Sequence, residues 1–180
     1  CRVLDLFGLA HRERVAGVRV FCAYVPNGQS PGSEKFAYKL DWLWRLRRFL
    51  DRAADPAEPV LLAGDMNVAP EPIDVYHPDR RVNDVDFHID ARSAYKDTLA
   101  WGFYDVFRIR YPDRVQYTYW DYFRNAFTNN WGWRIDHILA TGPLVEVCRG
   151  VDVDVAPRQA SGASDHTIVW AEFDTGSQVH

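Results

Sequence analysis

"PVLLAGDMNVAP", residues 59–70, is the stretch that decides the fold. Val60, Leu61, Leu62 and Ala63 form an unbroken apolar run of strand length, the pattern of a strand covered on both faces. The chain then turns at Gly64 and sets Asp65 and Asn67 where that strand ends. In extended backbone, positions i and i+2 point to the same side. A carboxylate and an amide are therefore expected to face one spot just outside the carboxyl edge of a sheet, where open α/β sheets bind ligands.

Upstream, Val18 to Val25 is rich in β-branched and aromatic residues and stops at Pro26-Asn27-Gly28, which predicts a buried strand opening into a loop. Ser33 is placed to cap a helix from Glu34 to about Ala53. Phe36, Leu40, Leu43, Leu46 and Leu50 form its apolar stripe, and Lys39, Arg45, Arg47 and Arg48 read as its solvated side. Downstream, Pro70, Pro72 and Pro78 predict an irregular loop, followed by a helix over 91–100 that Gly102 stops. Residues 115–133 interleave aromatic and polar side chains; Trp120, Tyr122 and Phe123 are read as core. Two further strands are predicted, Arg134 to Ala140 and Thr167 to Phe173, with a frayed tail from Asp174 to His180. Strands alternating with helices make the chain α/β, in one domain.

Composition bounds the function. The 180 residues suffice for one sizeable core, and no run of about 18 apolar residues predicts a membrane span. The three cysteines, Cys1, Cys22 and Cys148, have neither CxxC spacing nor nearby histidines, which fits a reduced, cytoplasmic compartment better than a disulfide scaffold or a zinc site. A net charge of −4 argues against a surface that coats nucleic acid generally. It leaves room for a nuclease, which needs carboxylates for metal and only a local basic rim.

The pattern at Asp65 recurs. Tyr24 ends its strand just before the Pro26-Asn27 turn, Asp136 lies inside the apolar run Ile135–Leu139, and Ser164-Asp165-His166 stands at the mouth of the last strand. A carboxylate in an apolar strand needs a partner, because burying an unpaired charge is costly. Asp136 either pairs with an Arg or His as structural glue or orients a catalytic imidazole.

Taken together and in order, "YVPNG" (24–28), "GDMNVAP" (64–70), "GWRIDHIL" (132–139) and "SDH" (164–166) resemble the exonuclease III and abasic-site endonuclease family, within the endonuclease/exonuclease/phosphatase superfamily. "GSEKFAYKLDWL" (32–43) and "YTYWDY" (117–122) point to its bacterial exonuclease III branch. The resemblance implies a DNase I-like four-layer α/β sandwich, of which this chain carries mainly the second sheet and its helices. It also implies a Mg²⁺-dependent (or Mn²⁺-dependent) phosphodiesterase. In that reading Asp65 activates the attacking water, Asn67 fixes its geometry, and His166, held by Asp136, stabilises charge on the phosphate. Tyr24 assists at the phosphate or the leaving oxygen, Asn27 contacts substrate, and Asp65, Asn67 and Asp165 form the metal environment. Tyr119, Trp133 and Ile135 fall where the family builds an apolar pocket for a base-less sugar turned out of the duplex. The implied partner is double-stranded DNA with abasic sites or 3′ ends, bound by a monomer.

The family pattern also begins with an Asn-x-Asn motif and a Gln-Glu motif, neither of which occurs in these residues, and the only methionine is Met66. The expectation is that residues 1–180 are the carboxyl-terminal portion of one such domain, poorly soluble and inactive by themselves. Two other readings stay open: a superfamily phosphatase acting on a non-nucleic-acid phosphoester, and a non-catalytic nucleic-acid-binding remnant.

Overall fold

A computed structural model describes residues 2–3 and 10–176, with side chains from Arg14 onward. Cys1, residues 4–9 and the last four residues of the expected tail lie outside the described residues. Strands β1 (Arg2–Val3) and β2 (Ala10–Val15) lead into β3 (Val18–Tyr24). Between β2 and β3, Ala16 and Gly17 both take positive φ, as a two-residue hairpin turn demands.

The predicted long helix forms as α1 (Glu34–Ala53), with Ser33 capping it by accepting the Phe36 amide at 3.1 Å. The same hydroxyl donates to the carbonyls of Gly28 and Ser30, so one residue both starts the helix and pins the loop before it. Ser33→Ala is expected to lower stability by about 1 kcal/mol, read as a shifted urea midpoint.

Helix α1 crosses to β4 (Val60–Asp65), which runs parallel to β3. The expected turn at Gly64 is corrected: the strand continues through it. Gly64 has φ +138°, and a Cβ there would lie 2.0 Å from the Ala23 carbonyl oxygen of β3. Glycine is required by the closeness of the neighbouring strand. Then come α2 (Ile89–Leu99), β5 (Phe103–Asp105), α3 (Val106–Arg110), β6 (Asp136–Thr141), α4 (Gly142–Val145), β7 (Cys148–Asp154) and β8 (Ile168–Phe173). The predicted strands at 134–140 and 167–173 begin one or two residues later than expected.

Six strands form a mixed sheet in the order β1-β2-β3-β4-β6-β5, and β7 and β8 pair separately. Side-chain alternation divides the core. Phe21, Ala23, Leu62 and Leu139 face α1 and α2, whereas Val18, Leu61, Ala63, Ile138 and Ala140 face Val151, Val153, Val169, Ala171 and Phe173 of the β7–β8 pair. The chain is thus a sandwich with helices on one side and the beginning of a second sheet on the other. That second layer covers part of the sheet face turned away from α1 and α2. Among the described residues, no helix is long and apolar enough to cross a membrane.

Segment 115–133 has little regular structure. Trp120 is buried as expected, but Tyr122 and Phe123 are corrected: both are exposed, Phe123 at 75%. They sit on a 3-10 turn (Phe123–Asn125) bent outward at Arg124, whose φ is +57°.

Candidate active site

Sheet register assembles the site. Tyr24 of β3 pairs with Asp65 of β4, and Asp65 pairs with Asp136 of β6. Register partners on adjacent strands share a face, at a spacing of about 4.8 Å. A phenol and two carboxylates therefore form one row at the end of three strands, on the face towards β7 and β8. Tyr24 remains 54% exposed, open to a ligand.

His166 reaches this row from the residues leading into β8. Its Nδ1 lies 2.8 Å from Asp136 Oδ2, and its Nε2 lies 4.0 Å from Asp65 Oδ2. Asp136 therefore fixes the ring and leaves Nε2 facing the cleft. Thr118 completes the arrangement by donating to Asp136 Oδ2 at 2.7 Å while accepting the Ile135 and Asp136 amides. The partner that Asp136 needs is thus the His166 ring, a pairing that both roles open to it require.

Asn67 meets Asp65 by a different route from strand alternation. It takes a left-handed φ of +48°. In that turn its amide donates to Asp65 Oδ1 at 2.8 Å, and its side-chain Nδ2 donates to Asp65 Oδ2 at 3.1 Å and to the Val25 carbonyl at 2.8 Å. Asn27, on the exposed loop after β3, donates to Asn67 Oδ1 at 3.4 Å.

Burial, with the nearby charge of Asp136, pushes the Asp65 carboxyl up to about 6, against the opposing effects of the Asn67 amide and His166. Burial alone would lower His166, but its hydrogen bond to Asp136 and the charges of Asp136 and Asp65 carry it above its ordinary value. One ligand atom each from Asp65, Asp136 and His166 lie within 4.8 Å of one another. Two crowded carboxylates, one reluctant to ionise, suit a hard divalent cation. Asp165 stands outside this trio: its carbonyl accepts the Trp120 amide, and its carboxylate takes the Ser164 hydroxyl at 3.4 Å.

Because Asp65 titrates above the ordinary carboxylate range, its ionisation opposes folding. The native state gains stability from its proton at low pH and loses that gain as pH rises through about 6. Asp65→Asn should therefore raise the denaturation midpoint at pH 7.5 in chelator, by ~3 kcal/mol, and much less at pH 4.5. Added Mg²⁺ should raise the wild-type midpoint more than that of the variant.

Beside the row opens a cleft of about 800 Å³, lined by Asp86, Arg81, Tyr119, Phe123, Trp131 and Trp133 among others. The Tyr119 ring packs against His166 with centroids 4.9 Å apart. Burial and the charges of Asp121 and Asp165 push its phenol up to about 12, so it is a hydrogen-bond donor at any ordinary pH. Tyr119 and Trp133 thus face the cleft as expected. Ile135 lies beneath it, 2% exposed, in a cluster with Ala69, Val75 and Phe87 on which both aromatics pack.

Sequence reading missed three contributors. Thr118 gave no signal, being one hydroxyl in a polar-aromatic run. A buried network ties Arg134 to Asp74 at 2.7 Å, to Asp105 at 2.7 Å and to His137 at 3.0 Å. It sits two residues before Asp136 and anchors the entry to β6. The third is Lys39, read as solvated but fully buried. Its spacing from Phe36 and Leu43, three and four residues, was the missed signal: it occupies the stripe position assigned to Leu40.

Fold and site together define an α/β sandwich of the DNase I-like type, with an acid–amide–imidazole centre at one sheet edge. Residues 3–166 match the family model described as Endonuclease/Exonuclease/phosphatase family, and the chain belongs to that family. It is 33% identical over 162 residues to exodeoxyribonuclease III of Haemophilus influenzae, covering 86% of this chain and 61% of that protein. The structure of an AP endonuclease from Archaeoglobus fulgidus superposes with a TM-score of 0.90 at 46% identity, covering 93% of this chain and 65% of that one. That of 3′ phosphatase NExo from Neisseria, bound to product DNA hairpin, gives 0.85 at 31% identity, covering 95% and 66%. The chain thus spans somewhat less than two thirds of the length of the Haemophilus relative.

Proposed function

We propose that the protein is a divalent-metal-dependent phosphodiesterase of DNA repair, of the exodeoxyribonuclease III and AP endonuclease type. The observation that carries this is the placement of Asp65 within 4.0 Å of an imidazole whose other nitrogen Asp136 holds at 2.8 Å, in register with Tyr24. Hydrolysing a phosphodiester requires an activated water, neutralised charge on the non-bridging oxygens and help for the leaving oxygen. Asp65 accepts the proton of the attacking water, and Asn67 holds that carboxylate in place. His166, whose charged form Asp136 favours, donates from Nε2 to a non-bridging oxygen, while the Tyr24 phenol donates to the phosphate or the departing alkoxide. A bound Mg²⁺, or Mn²⁺, supplies charge neutralisation at the phosphate. Asp65, Asn67 and Asp165 are the groups proposed to hold it, with Asp136 close by.

The cleft fits the substrate class. Tyr119 and Trp133 offer an apolar wall for a deoxyribose without its base, and extruding a nucleotide costs least where no base pair must be broken. The NExo complex with a DNA hairpin and the names of the nuclease relatives support DNA as the polymer. Asn27 is placed on the exposed rim to contact its backbone.

The test uses the protein encoded by the complete reading frame beside the 180-residue chain. Each is given duplex DNA with one abasic site, duplex with recessed 3′ ends, and inositol polyphosphates, in Mg²⁺ and in chelator. DNA cleavage that requires the metal supports the proposal. Phosphate release from the inositol compounds without DNA cleavage, or DNA binding without hydrolysis, overturns it.

A further inference from the structure

Lys39 is the least expected residue in the fold. It sits in the second turn of α1, fully buried, among Phe36, Trp42 and Leu43. A buried ammonium is tolerated only when its hydrogen-bonding capacity is met and its charge is paired. Lys39 meets both conditions by reaching under the catalytic row. Its Nζ donates to the Asn67 carbonyl at 2.5 Å, to the Asn27 carbonyl at 3.0 Å and to Asp86 Oδ1 at 2.9 Å. An ammonium has three donors, and they serve three separate loops, with the Val85 carbonyl beside Asp86 a fourth, longer contact at 3.5 Å.

The surroundings are cut to this side chain. Gly28 has φ +91°, and a Cβ there would lie 2.9 Å from Lys39 Cδ and 3.1 Å from Val85 Cγ2. Glycine therefore opens the channel through which the lysine passes. The two carbonyls it holds belong to residues in strained or exposed backbone. Asn67 is left-handed, and Asn27 sits in the loop after β3. Asn67 in turn supplies both hydrogen bonds that fix the Asp65 carboxylate. Asp86 lines the wall of the cleft.

We propose that Lys39 is a positioning residue of the catalytic centre. From inside the helix layer it locks the Asn27 loop, the Asn67 turn and the Asp86 wall into one rigid frame, so that Asp65 and Asn27 keep their places without touching Lys39's charge to substrate. This rests on the hydrolytic reading of the same centre. A group that acts only by holding geometry affects the chemical step more than binding, and a displacement of about 1 Å at a reacting group costs on the order of 100-fold.

Lys39→Met keeps an unbranched apolar stem, one atom shorter, and removes all three donors. Two measurements are made on the protein encoded by the complete reading frame: amide hydrogen exchange, and steady-state cleavage of abasic-site duplex in Mg²⁺. Exchange should accelerate by about tenfold or more at residues 25–28 and 66–68, with little change in the strands of the large sheet. In the same variant kcat should fall about 100-fold, with KM changed less than about threefold. Unchanged exchange in those two loops overturns the proposal whatever the activity. So does acceleration spread evenly over the chain, which marks a residue of general stability, or an unchanged kcat alongside loosened loops. Should the wild-type protein cleave no DNA, the nuclease reading falls, and the exchange measurement still decides whether Lys39 sets the two loops. If Lys39→Met fails to fold, Lys39→Gln, which keeps a two-donor nitrogen of shorter reach, is judged by the same outcomes.

Discussion

Asp65→Ala is expected to lower the turnover of abasic-site or 3′-end cleavage by about three to five orders of magnitude, with duplex affinity almost unchanged. Three functions leave with one carboxylate. The proposed acceptor for the water's proton goes, a general-base contribution of about 10²–10⁴-fold. The carboxylate shared by the proposed metal environment and the close Asp65–Asp136–His166 trio goes. Asn67 loses the partner of both its amide and its side chain, so its left-handed turn is no longer tied to β4. For the proposed duplex substrate, affinity is expected to rest on phosphate contacts and the cleft walls, and removing a negative charge does not weaken attraction for a polyanion. Single-turnover cleavage beside fluorescence anisotropy at one fixed salt concentration separates the two quantities. A loss of turnover below about tenfold would remove Asp65 from the chemistry.

The largest stability effect should come from Arg134→Met. Arg134 is 2% exposed and bridges Asp74, fully buried, and Asp105, whose side chain is 10% exposed. Removing the guanidinium takes a cation from each carboxylate, leaving Asp74 to Arg108 and Asp105 to His137, a loss of about 3 kcal/mol by urea denaturation. Burial disfavours the charge on Asp105, yet Arg134, with His137 in support, holds its carboxyl well below the ordinary range. The sign follows: this share of stability is complete at neutral pH and declines as pH falls below the ordinary carboxylate values. The gap between variant and wild type should therefore narrow in acid. A gap that stays constant from pH 7 to pH 3 would show that lost packing, rather than lost pairing, sets the cost. Because Arg134 lies two residues before Asp136, cleavage should also suffer in the variant, even under conditions where it stays folded.

Much of this architecture was legible in one dimension. The β3–α1–β4 unit was readable because each element carries a strong local signal: β-branched residues ending at a Pro-Asn-Gly turn, a serine cap with an apolar stripe, and an apolar run ending at Asp65. The elements that escaped notice are short or weakly patterned. Strand β5 has three residues and α3 five, too few for a period to show. Strand β7 alternates only Val151 and Val153 with aspartates, and its start is broken by Gly150 and a register shift. Tyr122 and Phe123 were taken for core because aromatic content says nothing about direction; the left-handed backbone at Arg124 turns them outward.

For the site the division is similar. Residue types in sequence determined which chemistry was available, since an Asp after an apolar strand, an Asn two residues on and a Ser-Asp-His before the last strand are local facts. How those groups meet was decided in three dimensions. Sheet register lines Tyr24, Asp65 and Asp136 into a row, a left-handed turn brings Asn67 onto Asp65, and the approach of β8 sets His166 on Asp136. Lys39 shows the reason most clearly. Its helical position was readable, but whether a lysine there faces water or three carbonyl and carboxylate oxygens depends on loops 12, 28 and 47 residues away in sequence. Local propensity fixes which elements form; the partners of a buried charge are supplied only when distant segments fold together.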